Sequence, residues 1–413
     1  MVIKKIKVTN FKSFGNLEIE LGNFNVLIGP NAAGKSNFVH IFEFLRDIVS
    51  SGLNNAVSMQ GGVEYLRNIN IGSSERLSIN VVSTQELGLF RRLRENLIGT
   101  KIYETIYEFA LKFNKRGSGF RIAEDKLIQK CKFVRLDRPG KKIKEILGDG
   151  EIIIFSTNGK VKIDLNIPER VPLKKEDIFP PFLPEEKLPN RTLLLETSYF
   201  LIRLLEGIFR DISIYDFDPK LPKKATPITG KAELEEDGSN LSIILKNITE
   251  NKEKRRKLFN LVKDLLPFVE NLDVEKFADK SLLFKLQETY FKNQYLPASL
   301  ISDGTINITA LIIALYFEKK PLVIIEEPER NIHPYLISKV VDMMKDASQK
   351  KQIIVTTHNP EIVKYAGLDN ILLVSRDKNG FSKISRPIDK EEIRTFLEHI
   401  GIEELYVQDL LRA

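Results

Sequence analysis

The sequence predicts an α/β protein in which a mixed or parallel sheet is flanked by helices, with a β-rich lobe and a helical insertion between the two ends of the chain. Three observations carry that expectation. Short apolar strands alternate with helices through the last third of the chain, as in a parallel sheet covered on both faces. Near the amino terminus a strand, a glycine-rich turn and an amphipathic helix follow one another. Between these regions, residues 100–166 keep a largely two-residue period.

Taken in order, residues 2–9, 17–21 and 24–28 read as three short strands. Phe38, Ile41, Phe42, Leu45, Ile48 and Val49 then recur at helical spacing, and Ser50, Ser51 and Gly52 end the helix. Residues 76–83 look like a further strand. The period-two region that follows is broken by a turn at Lys115–Gly119 and by Asn158-Gly159, a strong signal for a two-residue hairpin loop. Pro168, Pro172, Pro180, Pro181, Pro184 and Pro189 mark a linker or a loop laid over a surface. A helix is expected over about 191–210, helical segments at about 239–247 and 253–267, and a strand at 281–290.

The last third is the most clearly patterned. Ile306–Phe317 is apolar on all sides and reads as a buried helix. Leu322–Ile325, Gln352–Thr356 and Ile371–Val374 are short apolar strands. Pro334 opens a helix whose Ile337, Val340, Val341, Met344 and Ala347 share one face.

Composition removes several classes of function. The 413 residues contain one cysteine, Cys131, so neither a disulfide framework nor a cysteine-cluster zinc site can form. His40, His333, His358 and His399 are scattered, and no structural zinc site is expected. Leu193–Phe209 is interrupted by charges and Ile306–Phe317 is too short, so neither spans a bilayer. The start of the chain alternates like a strand and has no apolar signal core, so a cytoplasmic protein without a membrane partner is expected.

The net charge of +7 is uneven. Lys112 to Lys144 holds twelve lysines and arginines against four carboxylates up to Glu145. Such a stretch can track a nucleic-acid backbone, or it can be the solvated faces of hairpins. Residues 251–257 (NKEKRRK) read as a charged helix start or loop.

Four segments carry chemistry. Gly29, Pro30, Asn31, Ala32, Ala33, Gly34, Lys35 and Ser36 match G-x-x-x-x-G-K-[ST] between a strand and a helix, with Asn37 next. In such a loop backbone N–H groups and the helix start face phosphate oxygens, the lysine reaches the β- and γ-phosphates, and the serine can ligate Mg²⁺. In the second segment, Leu322–Ile325 delivers Glu326, Glu327 and Glu329 to the carboxyl edge of the sheet. One carboxylate can hold Mg²⁺ and another can orient and deprotonate a water. In the third, His358 follows the strand ending at Thr356, where it can sense a γ-phosphate or simply cap the next helix. In the fourth, Ser302, Asp303 and Gly304 precede the buried helix, as a cap or as a second helix start aimed at phosphate.

In this order the four segments resemble the ABC-type ATPase heads of the SMC/RecF/OLD group, as does the opening Val8–Phe14. Within that group the chain is similar to prokaryotic AAA-domain ATPases of the AbiEii-toxin-like kind that lack a Toprim domain. LEEDGSNLSIIL at 234–245, SLISDGT at 299–305, IIEEPERNIHP at 324–334 and VTTHNP at 355–360 carry the likeness. The resemblance implies a P-loop NTPase fold, ATP and Mg²⁺ as ligands, and a head that closes as a dimer or higher even oligomer. It places Glu326 at the metal position, Glu327 at the catalytic-base position and His358 at the switch histidine. Ser302, Asp303 and Gly304 would act in trans, as the signature facing the partner's nucleotide. Glu at the metal position and Asp303 in the signature depart from the transporter pattern. Gln60 and Gln85 both remain candidates for the Q-loop glutamine.

The resulting organisation has a nucleotide-binding core of 1–84 and 291–375, a β-rich lobe at 85–166, a linker and helical insertion at 167–290, and an extension at 376–413. Residues 359–413 are too few for a Toprim nuclease domain, so no intrinsic nuclease site is expected. Three roles follow: an ATP-driven switch of a phage-defence or toxin–antitoxin-like system acting on a separate effector protein, a RecF- or SMC-like DNA-repair ATPase, or a module that holds ATP with little turnover.

Overall fold

The computed structural model describes residues 2–93, 96–114, 119–137, 143–175, 187–197, 207–277, 280–291, 294–389, 391 and 401–407. The chain packs as two compact units, one built from 1–22, 36–211 and 375–384, the other from 23–35, 212–374 and 385–413. It opens with β1 (Val2–Phe11), β2 (Phe14–Glu20) and β3 (Phe24–Ile28), and helix α1 (Lys35–Ser51) follows.

The first unit is an antiparallel meander with α1, α2 (Leu53–Met59) and α3 (Val63–Leu66). Its sheet runs β2-β1-β4-β5-β6-β7-β8, with β4 at Leu77–Leu93, β5 at Asn96–Phe113, β6 at Phe120–Leu136, β7 at Ile143–Thr157 and β8 at Lys160–Asn166. Alternation sets the register. Val8 faces Leu17 on one side and Ile79 on the other, and all three are buried. Phe44 of α1 packs between Phe11 and Phe109, which seats the helix on the sheet. The strand expected at 76–83 continues to Leu93 through a bulge between Thr84 and Leu87, so the first strands and the lobe share one sheet. Asn158 and Gly159 take φ of 53° and 79°, and Thr157 pairs with Lys160. This is the two-residue loop their sequence predicts.

One expectation changes here. Of the helix foreseen over 191–210, Leu194–Glu196 forms only a single 3₁₀ turn, and 207–210 are helical. Glu196 explains the short turn: its carboxylate accepts the N–H groups of Leu193 (2.7 Å) and Leu53 (3.1 Å). Residues 198–206, the turn residues 115–118, and Pro180, Pro181 and Pro184 lie outside the described residues.

The second unit holds a parallel sheet in the order β16-β3-β15-β14-β9, with β9 at Ile212–Tyr215, β14 at Leu322–Glu326, β15 at Gln352–Thr357 and β16 at Ile371–Arg376. Helices α4 (Leu241–Thr249), α5 (Lys252–Leu265), α6 (Asp303–Tyr316), α7 (Pro334–Ser348) and α8 (Pro360–Ala366) belong to it. So does a small antiparallel sheet of β10 (Thr226–Pro227), β11 (Val269–Phe277), β12 (Ser281–Glu288) and β13 (Leu296–Pro297). Thr305 to Leu315 of α6 are buried at every position, so this helix is the centre of the core rather than a surface element. β11 was not among the expected strands, because Glu270, Asp273, Glu275 and Lys276 break up its apolar signal. Among the described residues no helix is long and apolar enough to cross a membrane.

Candidate active site

β3, β15 and β14 are neighbours and parallel, so their carboxyl ends share one sheet edge. Open α/β sheets bind ligands at that edge. Each strand delivers one sequence-predicted segment there.

β3 ends at Ile28 and the loop from Gly29 follows. A Cβ on Gly29 would lie 2.2 Å from the Val374 carbonyl oxygen, so only glycine lets the two strand ends approach. Ala32 and Gly34 take φ of 61° and 118°, and the Ala33 N–H donates to the Pro30 carbonyl at 3.2 Å. Pro30, Asn31 and Ala32 are exposed, while Gly29, Ala33 and Gly34 are buried. Lys35 opens α1 and folds back over this loop, donating to the carbonyls of Gly29 (2.8 Å) and Pro30 (3.2 Å). Burial holds the Lys35 ammonium below the ordinary lysine range, and the nearby carboxylates of Glu327, Glu326 and Glu329 oppose that shift. Ser36 is exposed on the first turn of α1, and Asn37 donates from Nδ2 to the Ser13 hydroxyl at 2.7 Å. A tight loop ahead of a helix start, with a desolvated lysine lying on its carbonyls, fits a polyphosphate.

β14 ends at Glu326, and Glu327 then turns at φ 45°, a left-handed conformation that costs about 1 kcal/mol for a residue with a Cβ. Its N–H donates to the Thr356 carbonyl of the neighbouring strand at 2.8 Å. Both carboxylate oxygens are engaged. Oε1 lies 2.9 Å from His358 Nδ1, and Oε2 accepts from Arg330 at 3.1 Å. Burial alone would push the Glu327 carboxyl up, but Arg330 and His358 together hold it below the ordinary glutamate range. His358 thus faces Glu327 from the end of β15 and is itself exposed. Glu329 is buried, accepts the Thr357 hydroxyl at 2.5 Å, and keeps Oε2 without a hydrogen-bond partner. Its burial pushes its carboxyl upward.

Ser302 caps α6, accepting the Thr305 N–H at 3.2 Å, and remains exposed. Asp303 pairs with Lys223 at 2.5 Å. A Cβ on Gly304 would lie 2.5 Å from the Asn331 carbonyl oxygen, so glycine is needed where the helix start meets the turn after Glu327. Asn307 reinforces that junction by donating to the Arg330 carbonyl at 2.7 Å.

Several residues of this edge were not singled out from the sequence: Arg330, Asp216, Lys223 and Thr357. Their partners are far away in the chain or are ordinary-looking charges, and only the arginine in EEPER offered a local cue. Gln60 ends α2 and is buried; Gln85 lies in β4, and neither identifies a Q-loop. In the first unit, a 430 Å³ cavity beside Asn37 is lined by Lys12, Ser13, Tyr65, Arg67 and Arg376. Among the described residues of Lys112–Lys144, four cations have carboxylate partners: Lys126 pairs with Glu108, Lys130 with Glu104, Arg135 with Glu145 and Lys144 with Asp137.

No curated protein matches the chain. Among solved structures, the SMC head bound to the C-winged helix domain of ScpA is 15% identical with a TM-score of 0.45, over 93% of this chain and 98% of that one. The SMC head domain from Thermotoga maritima is 13% identical with a TM-score of 0.40, over 94% and 99%. The Smc head with an extended coiled coil, bound to the C-terminal domain of ScpA from Pyrococcus furiosus, is 15% identical with a TM-score of 0.46, over 96% and 99%. The family described as "AAA domain, putative AbiEii toxin, Type IV TA system" matches residues 24–364, a span that takes in β3 with its loop, the signature segment, both strand-end glutamates and His358. The chain therefore belongs to this AbiEii-type family of AAA-domain ATPases.

Proposed function

We propose that the chain binds ATP and hydrolyses it to ADP and phosphate with Mg²⁺, and that it does so as a head closing on a second copy of itself. One observation carries the reading: the loop with Lys35 and the Glu327–His358 pair leave neighbouring parallel strands at the same edge. Lys35 exchanges the carbonyls of Gly29 and Pro30 for phosphate oxygens when nucleotide enters. Glu327, held ionised, orients the attacking water and takes its proton, while His358 fixes the carboxylate from its other side. Bound Mg²⁺ would neutralise charge on the β- and γ-phosphates, and Ser36 and Glu326 are the residues assigned to hold it. Most of the rate gain in such a site is positioning and charge stabilisation.

Ser302, exposed, and the half-buried Asp303 and Gly304 form a helix start that suits the nucleotide of a partner head. The organisation expected with it is a core at 1–84 and 291–375, a lobe at 85–166, an insertion at 167–290 and an extension at 376–413, although β4 runs across the 84/85 boundary and β9 of the insertion joins the parallel sheet. The family description names a type IV toxin–antitoxin system; on that footing the chain is read as an ATP-driven switch of such a system or of phage defence, acting on a separate effector.

A calorimetric titration tests the loop. Lys35→Ala is expected to weaken ATP binding at least about tenfold and to abolish any ATP-driven shift of the chain toward twice its mass in sedimentation. Undiminished binding by Lys35→Ala counts against the phosphate-loop reading.

A second reading, a DNA-binding ATPase, is favoured by one feature. Lys252, Lys254, Arg255, Arg256 and Lys257 are exposed in the first turns of α5, where the helix dipole disfavours cations. DNA-stimulated hydrolysis with a steep salt dependence distinguishes this reading from the first.

A further inference from the structure

We propose that Arg330 is a positioning residue for the Glu327 carboxylate, anchored by Asp216 to the turn that carries Glu235–Asn240. The inference rests on reading Glu327 as the base. Glu327 leaves its strand in a left-handed conformation, which persists only where its neighbours hold it. Arg330 supplies one such constraint. One guanidinium nitrogen donates to Glu327 Oε2 at 3.1 Å. The other donates to Asp216 Oδ1 at 2.8 Å and to the Phe217 carbonyl at 3.3 Å. With Oε2 taken from this side, Oε1 is the oxygen left to face His358, at 2.9 Å. A planar fork can serve two acceptors at once, which a lysine ammonium on a flexible stem does far less rigidly.

The anchor is itself built in. Asp216 follows β9, and its N–H donates to the Glu236 carbonyl at 2.9 Å; the Asp218 N–H donates to the Asp237 carbonyl at 3.1 Å. Asn240 closes that turn, accepting the Glu235 N–H and donating to the Glu233 carbonyl, each at 2.8 Å. The LEEDGSNL segment, which carried a family likeness without an assigned task, thereby acquires one: it fixes the acceptor that holds Arg330. From the opposite side, Asn307 of α6 grips the Arg330 carbonyl at 2.7 Å. The arginine is fixed at its backbone and at its far end, and Glu327 hangs between. The other charged groups around the carboxylate are His358, Lys35 and Glu329, and Glu326 acts on Lys35 beside them.

Steady-state ATPase assays on Arg330→Ala, Arg330→Lys and Asp216→Asn test the proposal, with calorimetric ATP binding measured on the same samples. Arg330→Ala is expected to lower kcat at least about tenfold while KM and ATP affinity stay within about twofold. Arg330→Lys keeps one donor and falls between Arg330→Ala and the parent. Asp216→Asn lowers kcat alone but adds nothing to Arg330→Ala, because it acts through the arginine. Where Arg330→Ala fails to fold, Arg330→Lys and Asp216→Asn decide by the same kcat-against-KM split. A kcat for Arg330→Ala near the parental value, or additive losses in the double variant, overturns the proposal. Glu327→Gln is the control. Parental hydrolysis by Glu327→Gln removes the base reading and this inference with it, whereas an inactive Glu327→Gln beside a fully active Arg330→Ala removes only the role of Arg330.

Discussion

Asp125 sits almost wholly buried in the antiparallel sheet, with the Tyr107 hydroxyl donating to Oδ1 at 2.9 Å and the Leu194 N–H to Oδ2 at 2.7 Å. Burial pushes its carboxyl up to about 7 in spite of those two donors, and the charge of Glu196 adds to the rise. A group raised on folding binds its proton in the native state over a range where the unfolded chain has lost it. Its contribution is therefore complete below about pH 4 and is lost as pH climbs through about 7. The midpoint of thermal unfolding should fall between pH 5 and 7, and Asp125→Asn should flatten that slope. An unchanged slope in Asp125→Asn contradicts the assignment. Nothing in the run FRIAEDKLI marks this carboxylate, because Leu194 lies far along the chain and burial is a property of packing. Lys35, by contrast, was legible: glycine, lysine and serine at fixed spacing are a local demand of phosphate binding. Arg330 lies between the two, adjacent to the glutamates but meaningful only beside Asp216.

At the scale of elements, the strand-to-loop step after β3 shows why local chemistry was readable. Gly29 must lack a Cβ because the Val374 carbonyl passes so close. Gly29→Ala is expected to displace the loop, lowering both the unfolding midpoint and the ATP affinity; a variant with both unchanged would show that the strand ends yield without disturbing the site. The parallel strands and α6 were visible for a related reason, since elements buried on every side read as unbroken apolar runs. β11 and the far half of β4 were not, because charged residues interrupt their apolar patterns. The segment around Leu194 misled in the opposite direction. Its three leucines are buried, yet Glu196 ties them into a single turn instead of a helix.

For the whole molecule, the sequence order and the packing order differ. The strands before and after β3 belong to the antiparallel unit, whereas β3 and its loop pack with residues from beyond 212. A parallel sheet assembled from distant segments brings three separate motifs to one edge, and that convergence supports the proposed ATPase site more firmly than any single motif does. Ser302 is exposed at the start of α6, as the proposed closure on a second head requires. The central claim is that this edge grips a triphosphate and that Glu327 activates the water which splits it. Single-turnover hydrolysis of ATP by Glu327→Gln tests it most directly. The account predicts that the variant binds ATP as the parent does and hydrolyses it at least about a hundredfold more slowly; hydrolysis at the parental rate would contradict it.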